Sequence, residues 1–504
     1  MKKCIAAALI LALLLSGCSW EEPDYVPDAD LQRPGHTPEA TLPPAEEQEI
    51  FALAYWPDRT LNPYQCTDMT NRVLFNLIYQ GLFTVTAEYE ARPMLCTSYN
   101  VSNDLRSWTF RVTNATFSDG TAVTGEDVRA SLEASMGSPW YGNRLQHVQS
   151  ITALGDSVMI QMKIPCENLP LLLDIPIVKA SQVDAERPLG TGPYRYDGDQ
   201  LRRQAGWWCD ATLPIDQQVI PLMKAESTAQ IRNLFEQSNV GLVCTDPGLK
   251  GQADFHRNYE LWSRESGEFV YMMCSDRSEI FEDQALRAAL TYAIDRDKLA
   301  RDHYKGFAYP ASLPASPKSP FYDQKLASQF GFNPDKFAEA VAGANLEGKE
   351  IILMVSSADQ NKLELAQAVA DMFAAGGMTV TLFRVHPKDL INQLRWGTYD
   401  LFIGQTTLSP NMDLTSFFAT NGSLSYGGLS DETVNTLCKK ALENTGNYYS
   451  LHKLIMENGW LCPILFRSTA VYGARGATTG LKPARDAALY YDLGLKLSDI
   501  FLSA

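Results

Sequence analysis

Residues 107–128 read SWTFRVTNATFSDGTAVTGEDV, and this stretch contains the signals of a strand, a turn and a helix start in that order. From Ser107 to Val112 large apolar side chains alternate with polar ones, which is the two-residue period of a half-buried strand. The residues FSDGT at 117–121 then supply turn chemistry. Thr124 and Asp127 have the spacing of a helix N-terminal cap, with an acid at the positive end of the helix. We therefore predict a strand, a tight turn and a capped helix.

Other segments on both sides show helix and strand periodicity. Residues 71–83 (NRVLFNLIYQGLF) and residues from about 283 to 301 each place apolar side chains on one face, and each predicts an amphipathic helix, the first with its C-terminal stop at Gly81. Farther along, residues 351–355, 362–375 and 379–385 have the patterns of a buried strand, a helix and a second strand. This β-α-β order predicts an α/β body.

A glycine-rich segment separates two of these regions. Residues 189–196 (LGTGPYRY) carry two glycines and a proline immediately before a predicted strand. Glycine without a Cβ allows the backbone to turn tightly against a neighbouring segment. We expect the chain to cross here from one domain to another.

The N-terminus predicts export and lipidation. Lys2 and Lys3 precede an apolar run too short to span a bilayer, which is typical of a secretory signal peptide over residues 1–17. The run ends in Leu-Ser-Gly-Cys, which resembles the bacterial lipobox and predicts that Cys18 becomes the lipidated first residue. Residues 18–49 are rich in proline and acids and predict an extended tether that cannot fold alone.

Composition excludes several classes of function. With 504 residues the chain is long enough for two or three domains, and its formal net charge of −16 disfavours sequence-independent binding to nucleic acid. None of the ten cysteines forms a C-x-x-C pair, and the six histidines lack close ligand spacing, so we expect no metal site and no cofactor.

Enzyme motifs are also missing from the sequence. It has neither a G-x-S-x-G elbow nor an H-E-x-x-H pair. Residues 343–349 (GANLEGK) match the phosphate-loop pattern, but Glu350 stands where Ser or Thr must bind Mg²⁺, and the segment precedes a strand instead of following one. We therefore expect no catalysis.

Four of the segments, in this order, resemble the family 5 extracellular solute-binding proteins, which are peptide- and nickel-binding lipoproteins of ABC importers. They are NRVLFNLIYQGLF, SWTFRVTNATFSDGTAVTGEDV, LGTGPYRY and, at residues 285–300, ALRAALTYAIDRDKLA. The resemblance implies an α/β fold of the periplasmic-binding-protein-like type II (cluster C), with two hinged α/β lobes and an inserted third lobe. The implied bounds are 48–77, 180–268 and 478–504 for lobe I, 78–179 for the inserted lobe II, and 269–477 for lobe III.

The resemblance also implies a function. The protein would capture a dipeptide or oligopeptide between its lobes by hinge closure and deliver it to an ABC permease and ATPase complex. It would act as a monomer outside the cytoplasm, at the cell surface or in the periplasm, held to the membrane only by lipidated Cys18. The alternatives are a binder of a non-peptide solute such as a nickel chelate, and a surface-anchored hydrolase or signalling derivative.

Five residues are implied as ligand contacts. The short apolar run at residues 50–55 (IFALAY) predicts the first strand of the folded part, and Tyr55 and Trp56 stand at its end. Trp396, Tyr399 and Asp413 match the cleft-facing segment of lobe III. An aromatic ring beside a charge can hold a ligand ammonium. The alternative for each aromatic residue is that it packs in the core or at the rim.

One position departs from the family pattern. Oligopeptide binders of this family often carry an acid in the loop 405–418 that grips the peptide ammonium, and here the corresponding residue is nearest Pro410. Either Asp413 substitutes from another angle, or the ligand lacks a free amino terminus.

Overall fold

The structure of the chain is a computed structural model that describes residues 51–249, 251–344, 346, 348–426 and 430–502. Residues 1–17, the predicted tether at 18–49 and Cys18 lie outside the described residues. The strands are β1 Leu53–Tyr55, β2 Phe83–Val85, β3 Ala91–Pro93, β4 Cys96–Val101, β5 Ser107–Val112, β6 Val148–Leu154, β7 Ser157–Met162, β8 Tyr194–Tyr196, β9 Gln200–Arg203, β10 Val219–Lys224, β11 Leu242–Thr245, β12 Tyr259–Cys274, β13 Ala308–Pro310, β14 Glu350–Ser356, β15 Thr379–Val385, β16 Leu401–Thr407 and β17 Leu461–Ala474.

The α-helices of the described residues lie mostly after residue 283. They are α1 Met69–Ile78, α2 Gly125–Ser135, α3 Thr228–Glu236, α4 Gln284–Ala293, α5 Arg296–Tyr304, α6 Gln324–Ser328, α7 Pro334–Gly343, α8 Gln360–Ala375, α9 Leu390–Trp396, α10 Thr415–Phe418, α11 Glu432–Glu443, α12 Tyr448–Asn458 and α13 Leu497–Ile500.

One large mixed sheet organises the fold. Its strand order is β15-β14-β16-β12-β17-β11-β1-β10-β9-β8, and β13 pairs with β17 off this path. The long antiparallel pair β12–β17 lies in the middle and separates a half built on β14–β16 from a half built on β1 and β8–β11. The segment between α1 and β8 adds a four-stranded antiparallel sheet, β4-β5-β7-β6, and the pair β2–β3.

The strand, turn and capped helix predicted from residues 107–128 are confirmed. β5 covers the predicted strand, and α2 begins at Gly125. The backbone N–H of Thr124 donates to Asp127 Oδ2 at 2.9 Å, so the acid satisfies a donor at the helix start. The predicted β-α-β unit is also present as β14, α8 and β15, with the two strands parallel.

The crossing into the segment after α1 depends on glycine. A Cβ at Gly192 would lie 2.6 Å from the carbonyl carbon of Ile78, and a Cβ at Gly190 would overlap the Ile78 carbonyl oxygen. Next to it, Gln80 and Ile177 form an isolated antiparallel bridge. The close approach to a neighbouring segment that LGTGPYRY predicted is therefore present, and the domain crossing at this segment stays a prediction.

Two helix predictions need correction. The first helix ends at Ile78, before the stop predicted at Gly81, because Tyr79 is extended and Gln80 then forms an isolated bridge with Ile177. The predicted helix 283–301 is two helices, α4 and α5. Ile294 is extended between them, and the side chain of Asp295 caps the second by accepting from the N–H of Lys298 at 2.9 Å.

Candidate functional site

The centre of the large sheet carries an irregularity between its two halves. The register of β12 on β17 shifts between Glu265 and Phe269, and Gly267 in this bulge has a φ of +72°. A Cβ at Gly267 would lie 2.6 Å from Cζ of the buried Arg485. A bulge with a left-handed glycine weakens local pairing and allows the strand to bend. The bulge therefore marks a place of weakened pairing at the centre of the sheet, between its two halves.

Charged side chains from both halves meet next to this bulge and form what we call the Arg467 cluster, which comprises Arg467, Asp246, Glu268, Asp359 and Lys362. The guanidinium of Arg467 pairs with Asp246, with Glu268 at 3.2 Å and with Asp359 at 3.7 Å. Asp246 follows β11 in one half, whereas Asp359 precedes α8 in the other. Burial lowers the pKa of Lys362, although the nearby carboxylates oppose this shift. The cluster therefore bridges the seam between the two halves of the sheet with charge pairs that are largely removed from water.

Several polar atoms around the Arg467 cluster have no partner. The hydroxyl of Tyr304 has no hydrogen-bond partner among the described residues, although Tyr304 is only 1% exposed. The same holds for Nδ2 of Asn361 and Oε1 of Gln405. Buried polar groups are nearly always paired in proteins, so unpaired ones mark a place where a ligand or ordered water belongs.

A second seam joins the segment 142–168 to the region after β16. The side-chain amide of Asn143 donates to the carbonyl of Thr407 at 2.8 Å, and Nε2 of His147 lies 2.8 Å from Oδ2 of Asp413. Burial would raise the pKa of Asp413, but hydrogen bonds and charge from His147 together with bonds from Thr415 hold it below its ordinary value. Asp413 is thus an ionised partner that ties two separate segments together.

A third group of buried charges lies behind the bulge. Arg144 pairs with Asp174 and, at 2.8 Å, with Asp486. Burial would raise the pKa of Asp486, but the guanidinium groups of Arg144 and Arg485 hold it well below its usual range. Because breaking such a buried pair leaves an uncompensated charge, this group fixes the C-terminal segment against the segment between α1 and β8.

Two of the five predicted contact residues line one concavity. Trp396 is 81% exposed and, with Tyr399, it borders a concavity of about 600 Å³ that also includes Arg277 and Lys349. The ring of Tyr399 packs beside Phe402, and its hydroxyl donates to a backbone carbonyl within the same half. Trp396 therefore offers a free aromatic face, whereas Tyr399 is largely part of the core.

The structure does not bring the other three residues to that concavity. Tyr55 is 2% exposed and donates to Asp199 at 3.2 Å, Trp56 packs under Arg59, and Asp413 is in the second seam. The five residues therefore do not converge on one site, and their role in ligand binding stays a prediction.

Sequence reasoning missed the Arg467 cluster. A signal for it exists, because Arg467 is the one charged residue within Leu461–Ala474, a strand that is buried along its whole length. A charge inside such an apolar run is rarely tolerated without partners. Its partners, however, come from three distant segments that no local pattern connects.

Neither a membrane span nor a metal cluster is found within the described residues. No helix there combines the length and hydrophobicity that crossing a bilayer requires. The same residues contain no group of three or more His, Cys, Asp or Glu side chains arranged to hold a metal ion.

Known proteins are similar to this chain both in sequence and in fold. The nickel-binding protein NikA of Staphylococcus aureus is 26% identical over 263 residues, which cover 50% of this chain and 53% of NikA. The glutathione-binding protein GsiB of Escherichia coli K12 is 24% identical over 284 residues, with coverage of 50% and 53%. The chain thus spans about half the length of the curated relatives it matches.

The fold has a close counterpart among solved structures. The ABC transporter substrate-binding protein CtaP of Listeria monocytogenes superposes with a TM-score of 0.71 at 16% identity, over 90% of this chain and 99% of CtaP. This similarity confirms the predicted α/β fold of the periplasmic-binding-protein type II. Residues 90–427 match the family described as bacterial extracellular solute-binding proteins, family 5 Middle, and the chain belongs to this family.

Proposed function

We propose that this protein is a lipid-anchored, extracytoplasmic solute-binding protein that traps a small peptide between the two halves of its sheet and delivers it to an ABC importer. The observation that carries the proposal is the central pair β12–β17, whose glycine bulge lies beside a seam of charged and unpaired polar groups. A hinge next to a polar seam is the arrangement that lets closure remove a solute from water.

The location rests on the first eighteen residues. The basic start, the short apolar run and the Leu-Ser-Gly-Cys sequence support cleavage before Cys18 and acylation of its thiol. Two or more acyl chains give stable anchoring, since each buried CH₂ contributes about 0.8 kcal/mol. The tether at 18–49 then lets the folded part extend away from the membrane surface.

The three-lobed arrangement remains part of this proposal. In it, lobe I contains residues 48–77, 180–268 and 478–504, lobe II contains 78–179, and lobe III contains 269–477. Two structural features support this proposal, namely the close approach of Gly192 to Ile78 and the bulge at Gly267. Closing of lobe III on lobes I and II would create the shape that the importer recognises, because the importer binds one of the two states more tightly.

Peptide as the solute is supported by the chemistry of the seam and by one relative. The seam offers both donors and acceptors without partners, namely Asn361 Nδ2 and Gln405 Oε1, which suits a ligand with alternating amide groups. GsiB is named as a glutathione-binding protein, and glutathione is a small peptide. Similarity to NikA supports a nickel chelate as the second candidate.

A retention experiment separates these candidates. The purified protein is incubated with a casein digest or with nickel and histidine, and unbound material is then removed. The protein is denatured, and the masses of the molecules that it releases are measured by mass spectrometry. We expect peptides to be retained with unchanged masses and to raise the unfolding midpoint, because a ligand at 100 times its Kd stabilises by about 2.7 kcal/mol. Cleaved peptides would contradict a pure binding role, and retention of nickel alone would favour the second candidate.

A further inference from the structure

The concavity bordered by Trp396, which we call the Trp396 concavity, is separate from the seam at the Arg467 cluster. In the antiparallel pair β12–β16, Glu268 stands at one end of β12 and Cys274 at the other. Glu268 belongs to the Arg467 cluster, whereas the concavity begins beyond Cys274, with residues 277–280 and 396–400 in its lining. The six steps from Glu268 to Cys274 span about 20 Å of strand. A molecule in the concavity would therefore not touch the cluster.

Hydrogen bonds hold the floor of the Trp396 concavity. The guanidinium of Arg277 donates to the carbonyl of Leu394 at 3.1 Å, next to the end of α9. The hydroxyl of Ser278 donates to the carboxylate of Asp400. The backbone that carries Trp396 is therefore anchored on both sides, and the indole ring is presented from a fixed support.

Three side chains around this floor are free to meet a ligand. Trp396 is 81% exposed, and it is the only tryptophan that the described part of the chain leaves mostly exposed. Tryptophan is highly buried on average, so a ring in this position marks a contact surface. Lys349 and Glu279 are exposed in the same lining, and neither has an ion pair or a side-chain hydrogen bond among the described residues.

The charges of the lining favour a neutral ligand. Cations on Arg277 and Lys349 stand with carboxylates on Glu279, Glu350 and Asp400. Of these carboxylates, those of Glu350 and Asp400 already accept from hydroxyl groups. The two charges left without partners, on Lys349 and Glu279, have opposite signs. In an open concavity an ion pair contributes little because water screens it, so contact with the indole face has to supply the binding energy.

We propose that the Trp396 concavity binds pyranose rings of a neutral polysaccharide. A pyranose ring has a face of C–H groups, which packs flat on an indole and removes apolar surface of both partners from water. Its hydroxyls both donate and accept, so one ring meets the Glu279 carboxylate and the Lys349 ammonium without bringing net charge. The volume of about 600 Å³ is within the range of small-molecule sites. This site goes beyond the proposed capture of a solute at the seam and does not depend on it.

Saturation-transfer-difference NMR on the purified protein tests this assignment, because it detects weak binding through the protons of the ligand. The probes are tetra-N-acetylchitotetraose and cellotetraose, both neutral chains of pyranose rings. We expect the wild type to transfer saturation to ring C–H protons of at least one probe. Trp396→Ala should weaken this binding by about ten-fold or more, which corresponds to about 1.4 kcal/mol or more, and Trp396→Phe should retain part of it because it keeps an aromatic face.

A second exposed aromatic residue provides the matched control. Tyr449 is 45% exposed at the start of α12 and lies outside the lining of the concavity. Tyr449→Ala should therefore bind the oligosaccharides as the wild type does. Under this assignment Trp396→Ala keeps the retention of casein peptides, whereas the cleft contact implied by the family resemblance requires a loss.

Each contrary outcome overturns the assignment. Absence of saturation transfer to both oligosaccharides refutes the carbohydrate site. Transfer that Trp396→Ala leaves unchanged places carbohydrate binding elsewhere on the protein. Loss of peptide retention in Trp396→Ala assigns the indole to the peptide site instead. Retention of peptides by the wild type is measured separately, so failure of the carbohydrate site leaves the proposed solute-binding function standing.

Discussion

Replacement of Gly267 by alanine tests how closely the central bulge packs against Arg485. The residue has a φ of +72°, and an added Cβ would lie 2.6 Å from Cζ of Arg485. A left-handed L-residue costs about 1–2 kcal/mol. Displacing the Arg485 guanidinium, which donates to the carbonyl of Leu408 and pairs with Asp486, costs about another 1–3 kcal/mol because buried polar groups lose partners.

We therefore expect Gly267→Ala to lower the free energy of unfolding by about 2–5 kcal/mol in total, measured by urea denaturation followed by circular dichroism. The matched control is Gly476→Ala, because Gly476 has a φ of +76° and a Cβ added there would have no other atom within 4 Å. The control should show only the backbone cost of about 1–2 kcal/mol. Equal losses in the two variants would refute the claim that Gly267 is required by the close approach of Arg485.

The lipidation site, the exposed tryptophan and the buried aspartate each give a further prediction. Cys18→Ala should move the protein from the membrane fraction to the soluble fraction, measured by fractionation and immunoblotting; unchanged membrane retention would exclude the lipobox interpretation. Trp396→Ala should leave the unfolding midpoint of the unliganded protein unchanged, because the side chain is 81% exposed, and should weaken retention of casein peptides if the predicted contact is correct. The pKa of Asp413 is lower in the folded state than the ordinary carboxyl value of about 3.9, so its ionised form stabilises the fold above about pH 3.9. This stabilisation is lost as the pH falls through the folded-state pKa, and Asp413→Asn should remove it. The urea midpoints of wild type and variant should therefore differ most at pH 6, and the difference should shrink as the pH falls below about 3.9 towards the lowered pKa of Asp413; a constant difference would contradict the ion pair with His147.

Local structure was predicted well from the sequence where the signal was local. The strand–helix–strand unit from β14 to β15 was found because its apolar periods are strong, and the close approach at Gly192 was found because only glycine permits it. The break at Ile294 was missed because the helices on both sides of it present apolar faces in one continuous period. Only the cap at Asp295 reveals that a second helix begins there.

The site was predicted less completely than the fold. The resemblance directed attention to Trp396 and Asp413, of which the first is exposed beside a concavity and the second is committed to His147. Arg467 was overlooked because its three acid partners are brought to it only by the tertiary fold. Long-range charge pairs of this kind have no periodicity, so a single sequence does not reveal them.

The most direct test of solute capture by hinge closure is small-angle X-ray scattering. It compares the peptide-free protein with the protein saturated by the pool of retained peptides. We predict that the unliganded protein has the larger radius of gyration and that peptide reduces it, because closure brings the two halves of the sheet together at the seam of Arg467. Identical scattering curves from peptide-free and peptide-saturated protein would contradict capture by hinge closure.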